Sequence, residues 1–317
     1  MDKQLIVSSS PHIRSSVSTR QIMLDVIIAL LPTTVMGVIL FSWRALLVIG
    51  TCILSAVLGE FLFNLACKKA QTVTDLSAVV TGLILALNLR ADVPVWQCVI
   101  GSVFAIVVVK CFFGGLGCNF ANPAITARIF MMLCFASTVG GGAVLAFGSK
   151  EVIDLTAGAT PLAIMAKDIP DALPSLLDMF LGFKSGAIGE VSGAAILLGF
   201  IYLVVRRVIN FEVPLVFVGA VYVMSLAISG NPVFSLYQIL AGGLLFGAVF
   251  MATDYVTTPI TRLGKIIFAF GCALITVLIR FYGNYPEGVS YSILLMNILS
   301  PYIEKWTLKS PLGGAKV

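Results

Sequence analysis

The sequence predicts an all-α polytopic membrane protein with about ten transmembrane helices, arranged as two five-helix halves with a long outer loop between them. Of the 317 residues, 59% are hydrophobic and only 11% are charged, whereas soluble domains carry about 25% charged residues. The mean hydropathy is +1.05. Apolar runs of roughly 20 residues, the length that spans a bilayer, recur along the chain. These figures disfavour the alternative of a water-soluble protein with large buried helices.

Ten apolar segments follow one another, five before the long loop and five after it. They lie at 22–41, 45–66, 74–89, 94–113, 124–146, 187–205, 213–229, 235–252, 264–282 and 289–304. This pattern predicts a cytoplasmic tail at 1–21, a first transmembrane half at 22–146, the outer loop at 147–186, a second half at 187–305 and a cytoplasmic tail at 306–317. Residues 1–21 are polar and show no cleavable signal.

The basic residues predict the orientation, because loops on the cytoplasmic side are enriched in lysine and arginine. With the N-terminus inside, thirteen basic residues fall on the cytoplasmic side and six on the outer side, while Lys110 lies near the inner end of the fourth span. We therefore predict that both termini are cytoplasmic and that lipid surrounds the spans. The pI near 8.8 reflects these short loops and predicts no nucleic-acid partner.

A weak internal repeat relates the fourth and eighth spans. At an offset of 141 residues, Trp96, Gln97 and Gly101 align with Tyr237, Gln238 and Gly242. Each span continues into a polar segment that ends in proline, Gly114–Pro123 and Met251–Pro259. Such backbone is tolerated at membrane depth only where protein or a cavity covers it. The two spans run in the same direction, so a strict inverted repeat is not predicted.

The cysteines and the histidine give little reason to expect a metal site. The seven cysteines form no Cys-x-x-Cys pair and mostly fall inside apolar runs, where they serve as small packing residues. Cys111 and Cys118 flank a glycine-rich segment, but two thiolates are fewer than the four that an iron–sulfur cluster usually takes. His12 is the only histidine and lies in the polar tail, which excludes a histidine-based metal or protease site.

The long loop contains one motif with candidate chemistry, Thr156-Ala-Gly-Ala-Thr-Pro-Leu162. Gly158 permits a positive φ, and Pro161 suits the first position of a short helix that Thr160 would cap. The free N–H groups of a helix N-terminus accommodate a phosphate. From the residues alone, an ordinary threonine N-cap and a phosphate-linked site both remain open.

The two polar segments near the cytoplasmic boundary form a second candidate site. Asn119 and Asn122 follow a glycine-rich stretch and offer donors and acceptors suited to a neutral heterocycle. The alternative is a glycine-rich turn in which the asparagines are caps. Asp254 follows the eighth span, and a carboxylate at a membrane boundary is a functional candidate. Its alternative is an ion pair with Arg262 or Lys265.

Other polar residues in or near the spans carry simpler expectations. Glu60 and Lys110 lie inside the second and fourth spans and are expected to form ion pairs. Arg128 is expected to reach the cytoplasmic surface by snorkelling. Asn297 and Ser300 in the last span are expected to hold helices together by hydrogen bonds.

These motifs resemble those of the family that contains the D subunit of the Rnf electron-transport complex and the B subunit of the sodium-pumping NADH:quinone oxidoreductase. The likeness extends over essentially the whole chain, including the motif that starts at Glu287. It implies that a flavin transferase attaches FMN to Thr160 through a phosphoester, with Thr156, Gly158 and Ala159 forming the surrounding motif. The family often has Ser or Thr where this chain has Ala157.

The resemblance also implies a second cofactor and a set of partners. The B subunit of the sodium pump binds a non-covalent riboflavin through asparagines that match Asn119 and Asn122, with an aspartate at the place of Asp254. The chain would then serve a bacterial cytoplasmic-membrane complex that oxidises ferredoxin, reduces NAD⁺ and moves Na⁺ or H⁺ outward. The partners implied are the other Rnf subunits, including a second covalent-FMN subunit and Fe–S membrane subunits.

No catalytic side chain is expected, because flavins carry the electrons and the protein fixes and tunes them. The chain alone is not expected to show a complete activity. Two alternatives need no flavin. One is a secondary transporter, which discontinuous helices and a repeat would suit, and the other is a non-redox scaffold subunit.

Overall fold

The computed structural model describes residues 18–140, 160–166, 173–283 and 287–308, and all regular structure in these ranges is helical. The helices are α1 (Thr19–Ala66), α2 (Ser77–Leu87), α3 (Val95–Val103), α4 (Pro123–Cys134), α5 (Ala136–Val139), α6 (Pro161–Ala166), α7 (Leu176–Leu181), α8 (Gly193–Val205), α9 (Glu212–Ser229), α10 (Pro232–Leu240), α11 (Leu244–Phe246), α12 (Arg262–Tyr282) and α13 (Val289–Thr307). π-Helices continue α3 over Phe104–Cys111 and α11 over Gly247–Met251. The all-α prediction is confirmed for this part of the chain.

The helices have the apolar character of a membrane protein. Within the described ranges, three helices are long and apolar enough to cross a bilayer: Thr19–Ala66, Glu212–Ser229 and Arg262–Tyr282. The bent pair of Pro232–Leu240 and Leu244–Met251 adds a fourth if the two helices form one span. Shorter apolar helices lie at Ser77–Leu87, Val95–Cys111, Pro123–Cys134 and Gly193–Val205. The number of ten spans in two halves stays a prediction.

Helix α1 is longer than a bilayer is thick, and Ser42 divides it. Its 48 residues would extend about 72 Å at 1.5 Å per residue, whereas the hydrocarbon core measures about 30 Å. Ser42 interrupts the helix with φ 62° and ψ −152°. This break coincides with the predicted boundary between the first two spans.

Glycines let α2 and α8 pack closely on α1. A Cβ on Gly82 would lie 2.7 Å from the carbonyl oxygen of Cys52, and a Cβ on Gly199 would lie 2.3 Å from that of Ala29. Membrane helices associate through such close backbone packing. The main core around these contacts contains residues from both halves of the chain, including Leu30, Leu85, Phe217, Phe246 and Phe268.

The apolar pattern misplaced the start of one span, because α8 begins at Gly193 and not at 187. The preceding residues are held by hydrogen bonds from Ile188 N to Leu89 O (3.0 Å) and from Gly189 N to Leu87 O (2.7 Å). These bonds satisfy the carbonyl of Leu87, the last residue of α2, and that of Leu89 just beyond the helix end. Ser192 then caps α8 by accepting from Ala195 N at 3.2 Å.

Two other predicted spans are interrupted. Within 124–146, Phe135 (φ −127°, ψ 47°) separates α4 from α5, and residues 141–146 lie outside the described ranges. Within 235–252, α10 and α11 are bent by 64°. The bend lies at Gly242, whose φ is +64°, and Leu162 of α6 packs so closely there that a Cβ would lie 2.5 Å from Leu162 Cδ1.

Two cations occupy the end of α10. Arg280 of α12 donates from Nη1 to the Gln238 carbonyl at 2.6 Å and from Nη2 to the Ala241 carbonyl at 3.3 Å. Lys184 donates to the Leu240 carbonyl. The last carbonyls of a helix lack partners within it and carry partial negative charge, so cations stabilise such an end. This explains how a helix can stop inside the bundle.

Candidate functional site

Asn119, Asn122 and Asp254 line one cleft, which has about 810 Å³ of empty space when its open mouth is included. Most of the wall is apolar, with contributions from Val26, Ile84, Leu203, Val249 and Phe250. The structure therefore brings together the three residues that the sequence placed in the second candidate site. An apolar cleft with a few convergent polar groups is the usual form of a cofactor site.

The glycine-rich segment forms a tight turn beside this cleft. Gly114, Gly115 and Gly117 have φ values of +119°, +100° and +89°, which glycine adopts far more readily than other residues. After the turn, Asn119 donates from Nδ2 to the carbonyl oxygen of Ala121 at 3.0 Å. Its side-chain oxygen has no hydrogen-bond partner among the described residues.

Asn122 is the N-cap of α4. Its Oδ1 accepts from the backbone N–H groups of Ala124 (3.0 Å) and Ile125 (3.4 Å), and Pro123 occupies the first helical position. The capping alternative is therefore correct for its carbonyl oxygen. Its amide nitrogen has no partner in the described part of the chain and stays available as a donor towards the cleft.

Asp254 does not form the ion pair with Arg262 that was the alternative to a functional role. Arg262 pairs with Glu212 at 2.5 Å, and no ion pair joins Asp254 to Lys265 within the described ranges. Asp254 instead accepts from Val256 N (3.4 Å) and Thr257 Oγ1 (3.2 Å). Desolvation raises the pKa of its carboxyl group, and these two hydrogen bonds oppose that shift.

Lys110 and Ser77 line the cleft, and Lys110 belongs to a buried ion pair. Lys110 Nζ donates to both carboxylate oxygens of Glu60 at 3.0 Å and to Ser77 Oγ at 2.6 Å. The two charged side chains are 3% and 2% exposed. The prediction that Glu60 and Lys110 form ion pairs is confirmed, and their partners are each other.

Thr160 does not line this cleft and lies at the start of α6. Its Oγ1 accepts from Ala163 N at 3.2 Å, so the predicted N-cap is confirmed. Leu162 and Met165 fix α6 against α10. Because Oγ1 is the acceptor in this bond and the residue is only half-buried, a phosphoryl group can replace the hydroxyl proton. Thr156, Gly158 and Ala159 lie outside the described residues, as does His12.

A buried charged cluster was missed by sequence reasoning. Arg128 donates from Nη1 to Asn88 Oδ1 (2.6 Å), and from Nη2 to Glu190 Oε1 (2.9 Å) and Glu287 Oε2 (2.6 Å). The snorkelling prediction is wrong, since Arg128 is only 5% exposed. Helix α4 already begins at Pro123 and carries Arg128 into the bundle. The signal available in the sequence was Glu190, an acid within a predicted span.

The remaining predictions concern polar and cysteine side chains. Asn297 is buried without a hydrogen-bond partner among the described residues, so no helix-joining bond is seen for it there.

The cysteines are free thiols. Four of them are buried, Cys52, Cys98, Cys111 and Cys272, and three are exposed, Cys67, Cys118 and Cys134. Within the described ranges, no group of three or more His, Cys, Asp or Glu side chains is placed to hold a metal ion.

Comparison with known proteins places the chain in a family. The model of the NQR2, RnfD, RnfE family matches residues 6–313. The D subunit of the Na⁺-translocating ferredoxin:NAD⁺ oxidoreductase complex of Acetobacterium woodii is 43% identical, over 99% of this chain and 96% of that protein. The D subunit of the proton-translocating ferredoxin:NAD⁺ oxidoreductase complex of Clostridium ljungdahlii is 41% identical, over 97% and 96%.

A relative from the other branch of the resemblance is also similar. The B subunit of the Na⁺-translocating NADH-quinone reductase of Chromohalobacter salexigens is 36% identical over 79% of this chain and 62% of that protein. The family match covers both candidate sites, Thr160 and the cleft residues, within one continuous range. The resemblance seen in the sequence is confirmed, and the chain belongs to the NQR2, RnfD, RnfE family.

Proposed function

We propose that this chain is the D subunit of an ion-translocating ferredoxin:NAD⁺ oxidoreductase complex in the cytoplasmic membrane, where it carries electrons and couples them to export of Na⁺ or H⁺. Full-length similarity to two subunits of such complexes supports this role. The other subunits of the complex would be its partners. Its ten spans would be the two parts of α1, α2, α3 with its π-helix, α4 with α5, α8, α9, α10 with α11, α12 and α13.

Thr160 is the proposed site of covalent FMN. The support is a half-buried threonine whose hydroxyl oxygen accepts from Ala163 N, on a helix that Leu162 and Met165 anchor to α10. A phosphoester oxygen would still accept that N–H bond, so attachment costs the cap little. The bound flavin would supply one-electron transfer, and the residues of α6 would hold it at a fixed place on the outer side.

The cleft is the proposed site of a non-covalent riboflavin. Its support is the convergence of Asn119, Asn122 and Asp254 on one apolar space. The free amide nitrogen of Asn122 would donate to a ring carbonyl, and the carboxylate of Asp254 would accept a ring N–H. The apolar walls would exclude water from the ring system.

The bent span of α10 and α11 connects the two proposed sites. Leu162 of α6 packs on Gly242 at the bend, and Val249, Phe250 and Asp254 further along the same segment line the cleft. The helical part of this segment, Leu244–Met251, has eight residues, which correspond to roughly 12 Å of rise. We place electron transfer across the bundle alongside this span, and we expect its coupling to ion movement there.

The proposed attachment of FMN is tested by replacing Thr160 with alanine and coexpressing the protein with the flavin transferase. Thr160→Ala is expected to abolish flavin fluorescence of the denatured protein and the FMN mass on the peptide containing residue 160. Thr160→Ser keeps a hydroxyl and should keep part of the label. Thr51→Ala is the control, because among the described residues the Thr51 hydroxyl donates only to Leu47 O in its own helix. Covalent flavin on the Thr160→Ala protein would refute the assignment.

The broken helix α10–α11 is the observation that favours the secondary transporter as a second candidate. Reconstituted chain without flavin distinguishes the two. The proposed function predicts no solute uptake into liposomes by this chain alone. Uptake that needs neither flavin nor partner subunits would favour the transporter.

A further inference from the structure

We propose that the buried Glu190 and the partly buried Glu287 form a proton-binding pair, bridged by Arg128, that holds one proton between its two carboxyl groups. The pair lies at the bend between α10 and α11. It involves none of the residues assigned to flavin binding, and the proposal does not depend on which flavins are bound.

The geometry brings the two carboxyl groups to one nitrogen. Arg128 Nη2 donates to Glu190 Oε1 at 2.9 Å and to Glu287 Oε2 at 2.6 Å. A Cβ on Gly243 would lie 2.6 Å from Glu190 Oε1 and 2.8 Å from Glu287 Oε1. Both carboxyl groups therefore crowd against Gly243 and against each other. Only a glycine at this position leaves room for them.

The partners do not satisfy two full negative charges. Arg128 uses its other terminal nitrogen on Asn88. Glu287 Oε1 is buried without a hydrogen-bond partner among the described residues. Two carboxylates that share a site cannot both ionise easily, because each raises the energy of the other's charge. A shared proton removes that repulsion and supplies a donor for an oxygen that lacks one.

The other charged groups near the pair are turned elsewhere. Lys184, on the same connecting segment as Glu190, donates to the Leu240 carbonyl. Arg280, on α12, donates to the carbonyls of Gln238 and Ala241. Arg128 of α4 is therefore the one cation in hydrogen-bond contact with the pair within the described residues.

The proton resides mainly on Glu190, which lies in the connection before α8 and outside the helices. Burial, and then the charge of Glu287, raise the pKa of Glu190 to about 7, against the opposing effect of Arg128. Burial also raises the pKa of Glu287, but the charge of Arg128, a hydrogen bond with Glu190 and the more remote charge of Arg280 together lower this pKa below its usual value. The pair thus contains one carboxyl group that titrates near neutrality and one that stays ionised.

A proton fits this site better than a metal cation. Proton binding needs one carboxylate oxygen, whereas Na⁺ would have to share both carboxylates with a guanidinium group that already bridges them. The pair is therefore inferred to respond to pH and not to Na⁺.

Glu190→Gln, which mimics the protonated acid, gives the test on the full chain in detergent. Because the folded-state pKa of Glu190 is raised, its contribution to stability is present at low pH and is lost as pH rises towards 7. The Tm of the wild type should therefore fall between pH 5 and pH 8. The part of this decrease in Tm that is due to Glu190 should be absent in Glu190→Gln. The Tm of Glu190→Gln should equal that of the wild type at pH 5. Glu287→Gln should lower Tm most at pH 5, where Glu190 is protonated and Glu287 is the ionised partner of Arg128.

Infrared difference spectra between pH 6 and pH 8 provide a readout that does not depend on stability. The wild type should lose a protonated-carboxyl band, and that band should be missing in Glu190→Gln. Asp254→Asn, at a half-buried acid whose pKa is also raised by desolvation, and Asp92→Asn, at an exposed ion pair, should keep it. A band retained in Glu190→Gln would overturn the proposal. So would a pH effect abolished by replacing choline with Na⁺ at fixed ionic strength.

Discussion

At the residue scale, Asn122 shows how one side chain can serve structure and binding through different atoms. Its carbonyl oxygen is committed to the backbone of α4, while its amide nitrogen is free towards the cleft. Sequence reasoning treated a cap and a cofactor ligand as alternatives. The geometry makes the two roles compatible, because each needs a different end of the amide.

Substitutions at Asn122 are expected to separate these roles. Asn122→Asp keeps an acceptor for the cap and removes the donor, so it should weaken riboflavin binding with little loss of stability. Asn122→Ala should also destabilise the chain by about 1 kcal/mol, the typical value of an N-cap. Thermal unfolding and quenching of riboflavin fluorescence measure the two effects. Equal riboflavin affinity for wild type and Asn122→Asp would argue against the donor role.

The Glu60–Lys110 pair gives a second residue-scale prediction. Lys110→Met leaves a buried carboxylate without its cation and should cost about 3–5 kcal/mol of stability. Adding Glu60→Gln should recover part of that loss, because the uncompensated charge is gone. Denaturant unfolding of the single and double variants measures the coupling. If the two losses simply add, the pair does not stabilise the fold as the contact at 3.0 Å implies.

At the scale of elements, the weak repeat has a structural counterpart. Shifted by the offset of 141 residues, the π-helix at Phe104–Cys111 falls on 245–252, which overlaps the π-helix at Gly247–Met251. The aligned glycines both admit a side chain, Met131 at Gly101 and Leu162 at Gly242. Only the second span is broken, because Gly242 is followed by Gly243 and adopts a positive φ.

Helix packing on α1 is expected to be sensitive at Gly199. Gly199→Ala would place a Cβ 2.3 Å from the Ala29 carbonyl oxygen and 2.8 Å from Phe250, and overpacking of this kind costs about 1–3 kcal/mol. Gly219→Ala in α9 is the matched control. No atom lies within 4 Å of its Cβ position, so it should stabilise by up to about 1 kcal/mol. The midpoints of thermal unfolding of the two variants measure these effects. An unchanged midpoint for Gly199→Ala would contradict the close contact between α8 and α1.

At the scale of the whole molecule, the predicted orientation places Thr160 outside and the mouth of the cleft near the inner face. The exposed thiols of Cys67 and Cys118 should then react with a membrane-impermeant maleimide only in inverted vesicles. The measurement uses variants that each retain a single cysteine. A variant that retains only the buried Cys272 is the unreactive control. Labelling of Cys67 in right-side-out vesicles would show that the orientation is opposite to the predicted one.

The sequence alone determined the membrane class, the helical composition, the break near Ser42, the cap at Thr160 and the two groups of candidate residues. These follow from local properties, since hydropathy, proline and glycine positions and capping residues act within a few positions of the chain. The motifs also sufficed to identify the family. Residues 156–159 of the flavin motif remain a sequence-based expectation.

Only the tertiary structure decided where the charged groups lie. Arg128 was expected at the surface, yet its partners Glu190 and Glu287 stand 62 and 159 positions away, and no local pattern reveals that pairing. The same holds for Lys184 and Arg280, which complete the broken end of α10. The energy of a buried charge depends on partners brought together by folding, whereas the preference for a helix depends mainly on neighbours in sequence.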